Sequence, residues 1–325
     1  MFEGIISITI ALIPVYLFIL GGYAFRRIGW LKPSADDSLL KLQIHVFYPA
    51  LIFSFVFRNE ALNQPSLLLL PPLVGFLSIL LGFAVGYAIA RMLGLCKGKG
   101  LRTFAFTTGI YNYGFIAIPL IDSLYHSKEV MGVLMVHNTG IEVAIWTLGI
   151  LLLNGNITRH AWKKLINPPI LALAAGLLMN RMLPGTVDAD STPLDAMFES
   201  VITTVQQLGR CAIPLALILI GASLRDLMHD ASLKLDWRVV SGACLARLLV
   251  LPALFIAAAL CLPLPMELQA VILIQAAMPS GMFPILMARH YGGSPQTAVQ
   301  IVIATTLLSV VTIPLWIAIA QRLVG

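Results

Sequence analysis

Two segments of the chain place glycine, proline and small polar residues inside long apolar stretches. One reads TTGIYNYGFIAIPLI over residues 107–121, and the other reads LIQAAMPSGMFPILM over residues 273–287. Proline lacks a backbone N–H and glycine permits an extended path, so a helix through either segment should be interrupted. The unpaired groups at such an interruption can bind ligands, because the N-terminal ends of half-helices favour a carboxylate and free carbonyls favour a proton carrier or a cation.

Polar and flexible residues at these interruptions are the predicted binding groups for a small organic anion. Tyr113 could equally be a packing residue. In an alternative interpretation, Pro119 and Pro284 only kink two continuous helices, and no site forms. If the helices are broken, the predicted binding residues are Asn112, Tyr113, Gly114, Asn138, Gln275, Pro279, Ser280 and Gly281.

A third segment, VLMVHNTGIEVAIWTLG at residues 133–149, carries ionisable side chains well inside an apolar stretch. Such a side chain costs at least about 2.5 kcal/mol in a bilayer and therefore seldom faces lipid. Asn138 and Glu142 share one helical face because they are four residues apart, whereas His137 points away and is expected to pack rather than to carry a proton. Burial disfavours the charged form of Glu142, so this group could carry a proton unless Arg247 neutralises it. A Glu142–Arg247 ion pair that only locks two helices together is the alternative.

The amino-acid composition indicates that these polar groups lie in a protein embedded in a membrane. Of the 325 residues, 59% are hydrophobic and only 11% are charged, against roughly 25% charged residues in soluble proteins. A water-soluble enzyme is therefore excluded, and the short connectors leave no room for a nucleic-acid-binding domain. The four cysteines are scattered, so neither a metal site nor a disulfide framework is expected, and nothing indicates a cofactor.

Apolar blocks of about 20 residues, the length that crosses a bilayer core of about 30 Å, recur along the chain. They predict an all-α integral membrane protein with ten transmembrane helices. Of the 21 lysines and arginines, 15 follow odd-numbered spans, which puts those connectors in the cytoplasm and both termini outside. The ten predicted spans are residues 5–25, 37–57, 66–90, 103–125, 129–153, 166–183, 198–224, 238–262, 267–289 and 297–321.

The two halves of the chain, residues 1–153 and 166–325, resemble each other weakly. The first spans of the halves match at an offset of 155, and later landmarks such as Thr139 and Thr306 match at an offset of 167. Because each half has five spans, the second half must enter the membrane from the opposite side, so the repeats are inverted. Inverted repeats are common in secondary transporters, where they expose one central site alternately to each side. The alternative is chance matching of glycine and proline in apolar helices.

Four segments carry a resemblance to a known family. They read YPALIFSFVF, NYGFIAIPLI, IPLALILIGASL and AMPSGMFPILMARHYGGSPQTAVQIVIATTLLSVVTIPLW. With them, the chain resembles the auxin efflux carrier family in its compact prokaryotic form over nearly its whole length. The resemblance implies the bile-acid-transporter-like superfold, in which spans 4 and 9 are broken and cross with the site between them. Auxin itself is not implied, because plant members have an Asn-Pro pair where this chain has Asn112-Tyr113 and Met278-Pro279.

The resemblance also implies a division of labour between two domains. Residues 5–57 with 166–224 would form a scaffold domain that mediates a homodimer, and residues 66–153 with 238–321 would form a moving transport domain. Prokaryotic members of the family are similar to carriers of malate, malonate and related carboxylates.

Together these features predict a secondary carrier in the inner (plasma) membrane of a prokaryote. It is expected to move a small organic anion, a mono- or dicarboxylate, by an elevator-type motion, with protons or sodium as the candidate coupling ions. One alternative is a sodium- or proton-coupled transporter of inorganic ions in which Glu142 is the main ligand. Another is a sensor or channel derived from a transporter. An enzyme is not expected, because no nucleophile, metal cluster or nucleotide-binding loop accompanies the intramembrane groups.

Overall fold

The computed structural model describes residues 2–96, 98, 100–154, 166–183, 192–229 and 235–324. Within these ranges the chain forms helices, the turns between them and one isolated β-bridge, but no strand. The predicted all-α fold class is therefore confirmed. The helices are α1 (Phe2–Arg27), α2 (Asp36–Leu42), α3 (Tyr48–Val56), α4 (Pro65–Met92), α5 (Leu101–Gly109), α6 (Ala117–Tyr125), α7 (Lys128–Ala144), α8 (Ile150–Asn154), α9 (Pro168–Met182), α10 (Pro193–Arg210), α11 (Ala212–Met228), α12 (Trp237–Leu245), α13 (Leu251–Cys261), α14 (Met266–Ala277), α15 (Phe283–His290) and α16 (Pro295–Val324).

Within the described ranges, three pairs of helices are joined end to end by a π-helical turn instead of a loop. These turns lie at Gln43–Phe47 between α2 and α3, at Ile145–Gly149 between α7 and α8, and at Ala246–Val250 between α12 and α13. Turns of this kind are rare and occur frequently at functional sites. Two of them carry a buried polar side chain, Gln43 in the first and Arg247 in the third.

Seven helical segments in the described ranges are long and apolar enough to cross a bilayer. They are α1, α2–α3, α4, α7–α8, α10–α11, α12–α13 and α16. The other three predicted spans are shorter as helices, because 103–125 and 267–289 are interrupted and 166–183 forms only the 15-residue α9. The protein is a multi-pass membrane protein, and its ten crossings stay a prediction.

The predicted seventh span, residues 198–224, is divided between two helices. α10 ends at Arg210, and α11 begins two residues later. Pro214 explains the division, since it has no N–H to donate to the carbonyl of Arg210, four residues before it. α10 also begins earlier than predicted, at Pro193.

One group of helices is formed by α1, α3, α9, α10 and α11. α1 packs against α11, and α3 packs against α9 and α10. The approach of α1 to α11 is close because Gly22 lies on the backbone of Ile218 and Gly221 lies on the backbone of Ile19, where a Cβ atom would overlap main-chain atoms. Small residues commonly permit such backbone contact between membrane helices.

Ion pairs connect the ends of the helices in this first group. Arg26, whose side chain is 2% exposed, contacts Asp36 at 2.5 Å and Asp226 at 3.1 Å, and so joins α1, α2 and α11. Arg58 contacts Glu199 at 2.5 Å and joins the end of α3 to α10. The pairs of Arg26 with Asp226 and of Arg58 with Glu199 connect parts of the chain that are far apart in sequence, so they fix the helices of the group relative to one another.

A second group contains the interrupted segments. α4 packs against α5 and α7, α13 packs against α14, and α12 packs against α16. The first half of each interrupted segment also contacts a helix from the other half of the chain, since α14 touches α7 and α5 touches α16. The interruptions are therefore enclosed by long helices and have no need to face lipid, where unpaired backbone groups would be costly.

Candidate functional site

Both predicted helix interruptions are present. Residues 110–116 separate α5 from α6, and residues 278–282 separate α14 from α15. Pro119 and Pro284 lie in the first turns of α6 and α15, where a proline is tolerated because an N–H in that turn has no partner within the helix. The breaks therefore precede these prolines, and two kinked but continuous helices do not describe the structure.

The two extended segments cross each other as a short antiparallel bridge. The N–H of Asn112 donates to the carbonyl of Pro279 at 2.8 Å, and the N–H of Gly281 donates to the carbonyl of Ile110 at 2.9 Å. A side chain at Gly281 would be crowded, because its Cβ would lie 3.2 Å from the carbonyl oxygen of Tyr111. The crossing is thus built from main-chain hydrogen bonds.

On one side of the crossing, three predicted binding residues meet at a single carbonyl. The carbonyl oxygen of Tyr113 accepts hydrogen bonds from Gln275 Nε2 at 3.1 Å and from Asn138 Nδ2 at 3.3 Å. Gln275 Nε2 also lies 3.4 Å from Asn138 Oδ1. Asn112 Oδ1 accepts from the N–H of Ile116 at 3.4 Å, immediately before α6. The structure therefore brings the polar residues of α7 and α14 to the break between α5 and α6.

Glu142 extends this polar cluster toward α9. Its Oε1 lies 3.5 Å from the hydroxyl of Tyr113, and its Oε2 accepts from Asn167 Nδ2 at 3.0 Å. Asn167 is the residue before α9, and its Oδ1 accepts from the N–H of Ile170 at 3.0 Å. Glu142 therefore connects the crossing to the first group of helices, and Tyr113 has a polar contact in addition to its packing.

Arg247 does not pair with Glu142 in this structure. Its guanidinium donates to main-chain carbonyls at the end of α14, the nearest of which is the carbonyl of Met278 at 2.9 Å from Nε. Glu142 faces α9 instead, so the interpretation of these two residues as a locking ion pair is wrong. His137 is fully buried, and its backbone carbonyl lies against Gly75 of α4.

The other side of the crossing has a smaller polar cluster. The N–H of Ser280 lies 3.3 Å from Thr305 Oγ1 of α16, and Ser280 Oγ is fully buried without a hydrogen-bond partner in the part of the chain that the structure describes. The sequence analysis missed Thr305. The internal repeat could have identified Thr305, because at the offset of 167 it is the counterpart of Asn138. It also lies beside Thr306, which was used to define that offset.

Two cavities lie between the crossing and the first group of helices, and Tyr48 lines both. One is half open to its surroundings, spans about 190 Å³ of empty space and reaches Gln43, Gly114 and Phe115, next to α6. Gln43 Nε2 donates to the carbonyl of Ala212 at 3.0 Å, while its buried Oε1 has no partner among the described residues. The second is also half open, spans about 260 Å³ of empty space and is lined by Tyr48, Ile52, Met135, Asn138, Thr139, Glu142, Pro169, Ile170 and Leu173.

Besides Thr305, the sequence analysis overlooked Tyr48 and Asn167 at this site. Tyr48 belongs to the motif YPALIFSFVF, but nothing in the sequence indicates that its side chain faces the break. Asn167 precedes two prolines at the start of a helix, a pattern that predicts a helix cap and no more. In the described ranges no three His, Cys, Asp or Glu side chains are arranged to hold a metal ion.

Comparison with known proteins assigns the chain to a family. A family model described as membrane transport protein matches residues 7–160 and 156–317. An uncharacterized transporter of Methanothermobacter thermautotrophicus is 27% identical over 316 residues, which cover 95% of this chain and 97% of that protein. An uncharacterized transporter of Methanocaldococcus jannaschii is 21% identical over 306 residues, which cover 93% of this chain and 95% of that protein. The chain therefore belongs to the membrane transport protein family, that of the auxin efflux carriers, and is a transporter rather than an enzyme.

Proposed function

We propose that the protein is a secondary carrier of a small organic anion, such as a mono- or dicarboxylate. The observation that carries this proposal is the crossing of two interrupted helices beside two cavities. The N-terminal ends of α6 and α15 both begin at the crossing, and such ends carry a partial positive charge and free N–H groups. A carboxylate is the ligand that these groups favour, and discontinuous helices of this kind hold the substrate in several transporter folds.

Ten crossings in two inverted repeats agree with the packing of the helices. The two interrupted segments and α9, added to the seven long apolar segments, would make ten spans. The contacts between the two halves occur in matched pairs, as expected for two inverted repeats. α1 of the first half packs on α11, and α9 of the second half packs on α3. In the same way, α5 touches α16 and α14 touches α7. Both termini would then lie outside, in agreement with the distribution of lysine and arginine.

We further propose an elevator-type motion between two domains. The scaffold would contain α1, α2–α3, α9 and α10–α11, and the transport domain would contain α4 to α8 and α12 to α16. Both cavities lie along the boundary between these groups, which is where a substrate must enter and leave. The scaffold helices would also form the contact of a homodimer.

Coupling to protons is the favoured energy source, and Glu142 is the residue that would carry the proton. Its carboxylate lines the larger cavity and has no cationic side chain beside it in the described structure. An organic anion bound nearby would be repelled by a charged Glu142 and accepted beside a protonated one. Sodium remains the alternative coupling ion. The setting would be the plasma membrane of a prokaryote, and both compared relatives are archaeal.

Uptake into proteoliposomes tests the proposed function. Labelled acetate, malonate and malate would be offered under imposed proton, sodium and voltage gradients, and at least one should accumulate above its equilibrium level. Asn138→Ala should lower this uptake at least 10-fold, because it removes a polar group from the cavity and from the Tyr113 carbonyl. Asn63→Ala, a change outside both cavities, is the matched control.

The same assay separates the alternatives. Uptake of chloride or phosphate that no carboxylate inhibits would replace the proposal with an inorganic ion carrier. Saturable binding of a carboxylate without turnover would indicate a sensor. Gradient-independent flux that does not saturate would indicate a channel.

A further inference from the structure

Arg247 is a fully buried cation that has no acidic partner among the described residues. Its exposed fraction is 0%, and in the part of the chain that the structure describes no carboxylate lies within ion-pair distance of it. Burial of a charge is strongly unfavourable unless other groups replace the water that it loses. The groups that surround Arg247 therefore indicate why a cation is held there.

Main-chain carbonyls at the C-terminal end of α14 surround the guanidinium. Nε donates to the carbonyl of Met278 at 2.9 Å, and Nη2 donates to the carbonyls of Ala276 at 3.2 Å and Gln275 at 3.4 Å. The last carbonyls of a helix lack partners within that helix and carry the negative end of its dipole. Arg247 therefore both satisfies and neutralises the broken end of α14.

Two aromatic rings complete the surroundings of the cation. The guanidinium carbon lies 4.9 Å from the ring centre of Tyr111 and 5.5 Å from that of Phe255. Both distances are within the range at which a ring face attracts a cation. Tyr111 is part of the antiparallel bridge, so Arg247 contacts both of the segments that cross.

Carbonyl oxygens at the broken end of a membrane helix form the kind of site at which secondary transporters bind a coupling cation such as sodium. We propose that Arg247 is a tethered cation that takes the place of a coupling cation at the C-terminal end of α14. Its charge is attached to the chain, so occupancy of this position does not depend on the sodium concentration. A guanidinium also keeps its proton in proteins, so the charge is not released during a transport cycle.

The two halves of the chain differ at this position. The repeat offset of 167 carries Arg247 onto Leu80, an apolar residue of α4 that is 42% exposed. α4 carries no basic residue before Arg91 in its last turn, so this helix offers the broken end of α5 no counterpart of Arg247. The tethered charge belongs to one half of the crossing only, and the proposal concerns that half.

The proposal depends on the proposed function only in treating the crossing as the transport site. A measurement of stability that uses no substrate can therefore test it separately. The thermal unfolding midpoint of the purified protein in detergent would be followed by the fluorescence of its five tryptophans. Wild type, Arg247→Ala and the exposed-arginine control Arg238→Ala would be compared in methylguanidinium chloride, sodium chloride and choline chloride at equal ionic strength.

Arg247→Ala should unfold at a midpoint lower by on the order of 5 °C in choline chloride, because the carbonyls of α14 lose their partner. Methylguanidinium should recover at least half of this loss, since a cation that binds only the folded state stabilises it. Sodium should recover a smaller part. Wild type and Arg238→Ala should show equal midpoints in all three salts.

Equal responses of wild type and Arg247→Ala to the three cations would overturn the proposal. If Arg247→Ala does not fold, Arg247→Lys and Arg247→Met would be compared for recovery of folded protein from membranes. The charged variant should be recovered at more than five times the level of the neutral one, which has a similar length. Equal recovery would mean that the position needs only volume, and the proposal would be wrong.

Discussion

At the scale of single residues, Glu142 has the most informative contacts. One carboxylate oxygen faces the hydroxyl of Tyr113 beside the crossing, and the other accepts a hydrogen bond from Asn167 before α9. These partners belong to the two helix groups that the proposed motion would separate. The charge state of Glu142 would therefore affect both the affinity of the cavity for an anion and the contact between the groups.

Glu142→Gln should abolish the response of uptake to an imposed proton gradient. The amide keeps the size of the side chain but cannot exchange a proton, so anion uptake should become independent of the gradient while the protein still folds. Initial rates in proteoliposomes at fixed external pH would measure this. Glu129→Gln, an exposed change near the start of the same helix, is the control and should behave like wild type. A full gradient response in Glu142→Gln would remove this residue from the coupling mechanism.

Tyr48→Phe should weaken substrate binding without unfolding the protein. The hydroxyl lies near Gly114, and the side chain lines both cavities, so its loss removes one hydrogen-bonding group from the proposed path of the substrate. A single lost hydrogen bond of about 1 kcal/mol corresponds to a rise of roughly 5-fold in KM. Tyr87→Phe in α4 is the control, since that side chain packs in a separate apolar cluster. An unchanged KM in Tyr48→Phe would exclude its hydroxyl from binding.

The residues at the break could be predicted because the residue types that interrupt a helix act at their own position in the sequence. Glycine, proline and asparagine disturb a helix wherever it packs, so Asn112, Pro279 and Gly281 could be found from the sequence. The partners of Glu142 and Arg247 could not be found in this way. Those contacts depend on which helices become neighbours, and no spacing along the chain encodes the approach of α9 or of the end of α14.

At the scale of helices, close packing depends on where each glycine points. Gly21 and Gly22 are adjacent in α1, but only Gly22 faces the backbone of α11. A Cβ on Gly21 would meet nothing closer than the ring of Phe25 at 3.9 Å. Because neighbouring residues on a helix point in different directions, a side chain fits at Gly21 but not at Gly22.

Gly22→Ala should therefore destabilise the protein, and Gly21→Ala should not. Overpacking against the backbone of Ile218 should cost about 1–3 kcal/mol and lower the unfolding midpoint by roughly 3 °C or more. Alanine at Gly21 should leave the midpoint unchanged or raise it slightly, because alanine favours the helix. Thermal unfolding in detergent gives both values. Equal midpoints for the two variants would contradict the observed packing of α1 on α11.

Helix boundaries were predicted worst where helices meet end to end. The bend after Arg210 was missed because the apolar pattern runs through it, although Pro214 provides the physical cause. The π-helical turns leave no mark in the apolar pattern at all. The half-helices and the 15-residue α9 are too short to count as spans, which is why length and hydropathy find seven segments in the described ranges where the sequence analysis counts ten.

At the scale of the whole molecule, the two helix groups can be tested for relative motion by cross-linking. Phe55 of α3 and Gly132 of α7 are close, since a Cβ at Gly132 would lie 3.0 Å from the carbonyl oxygen of Phe55. A cysteine pair at these positions should form a disulfide that abolishes uptake. A reductant should restore uptake to the level of Gly132→Cys alone, since a Cβ at this position displaces the side chain of Asn59. The pair would be made after replacing the four native cysteines with serine.

A second cysteine pair within one group is the control for the cross-link. Val56 and Gly176 both belong to the first group, and a Cβ at Gly176 would lie 3.1 Å from the Cβ of Val56. A disulfide there should leave uptake above half of the reduced level. Full activity of the Phe55–Gly132 disulfide would exclude a sliding motion between α3 and α7.

The pair of main-chain hydrogen bonds at the crossing has a consequence for the thermodynamics of the whole cycle. Because Asn112 with Pro279 and Gly281 with Ile110 bind backbone to backbone, the half-helices on either side cannot tilt independently. A guest held by these backbone groups would meet the same crossing whether it faces the cytoplasm or the exterior, so a difference in its dissociation constant between the two faces should come from scaffold residues such as Tyr48. The direction of net flux would follow whichever gradient the cell maintains, and import or export would be a property of the cell's physiology.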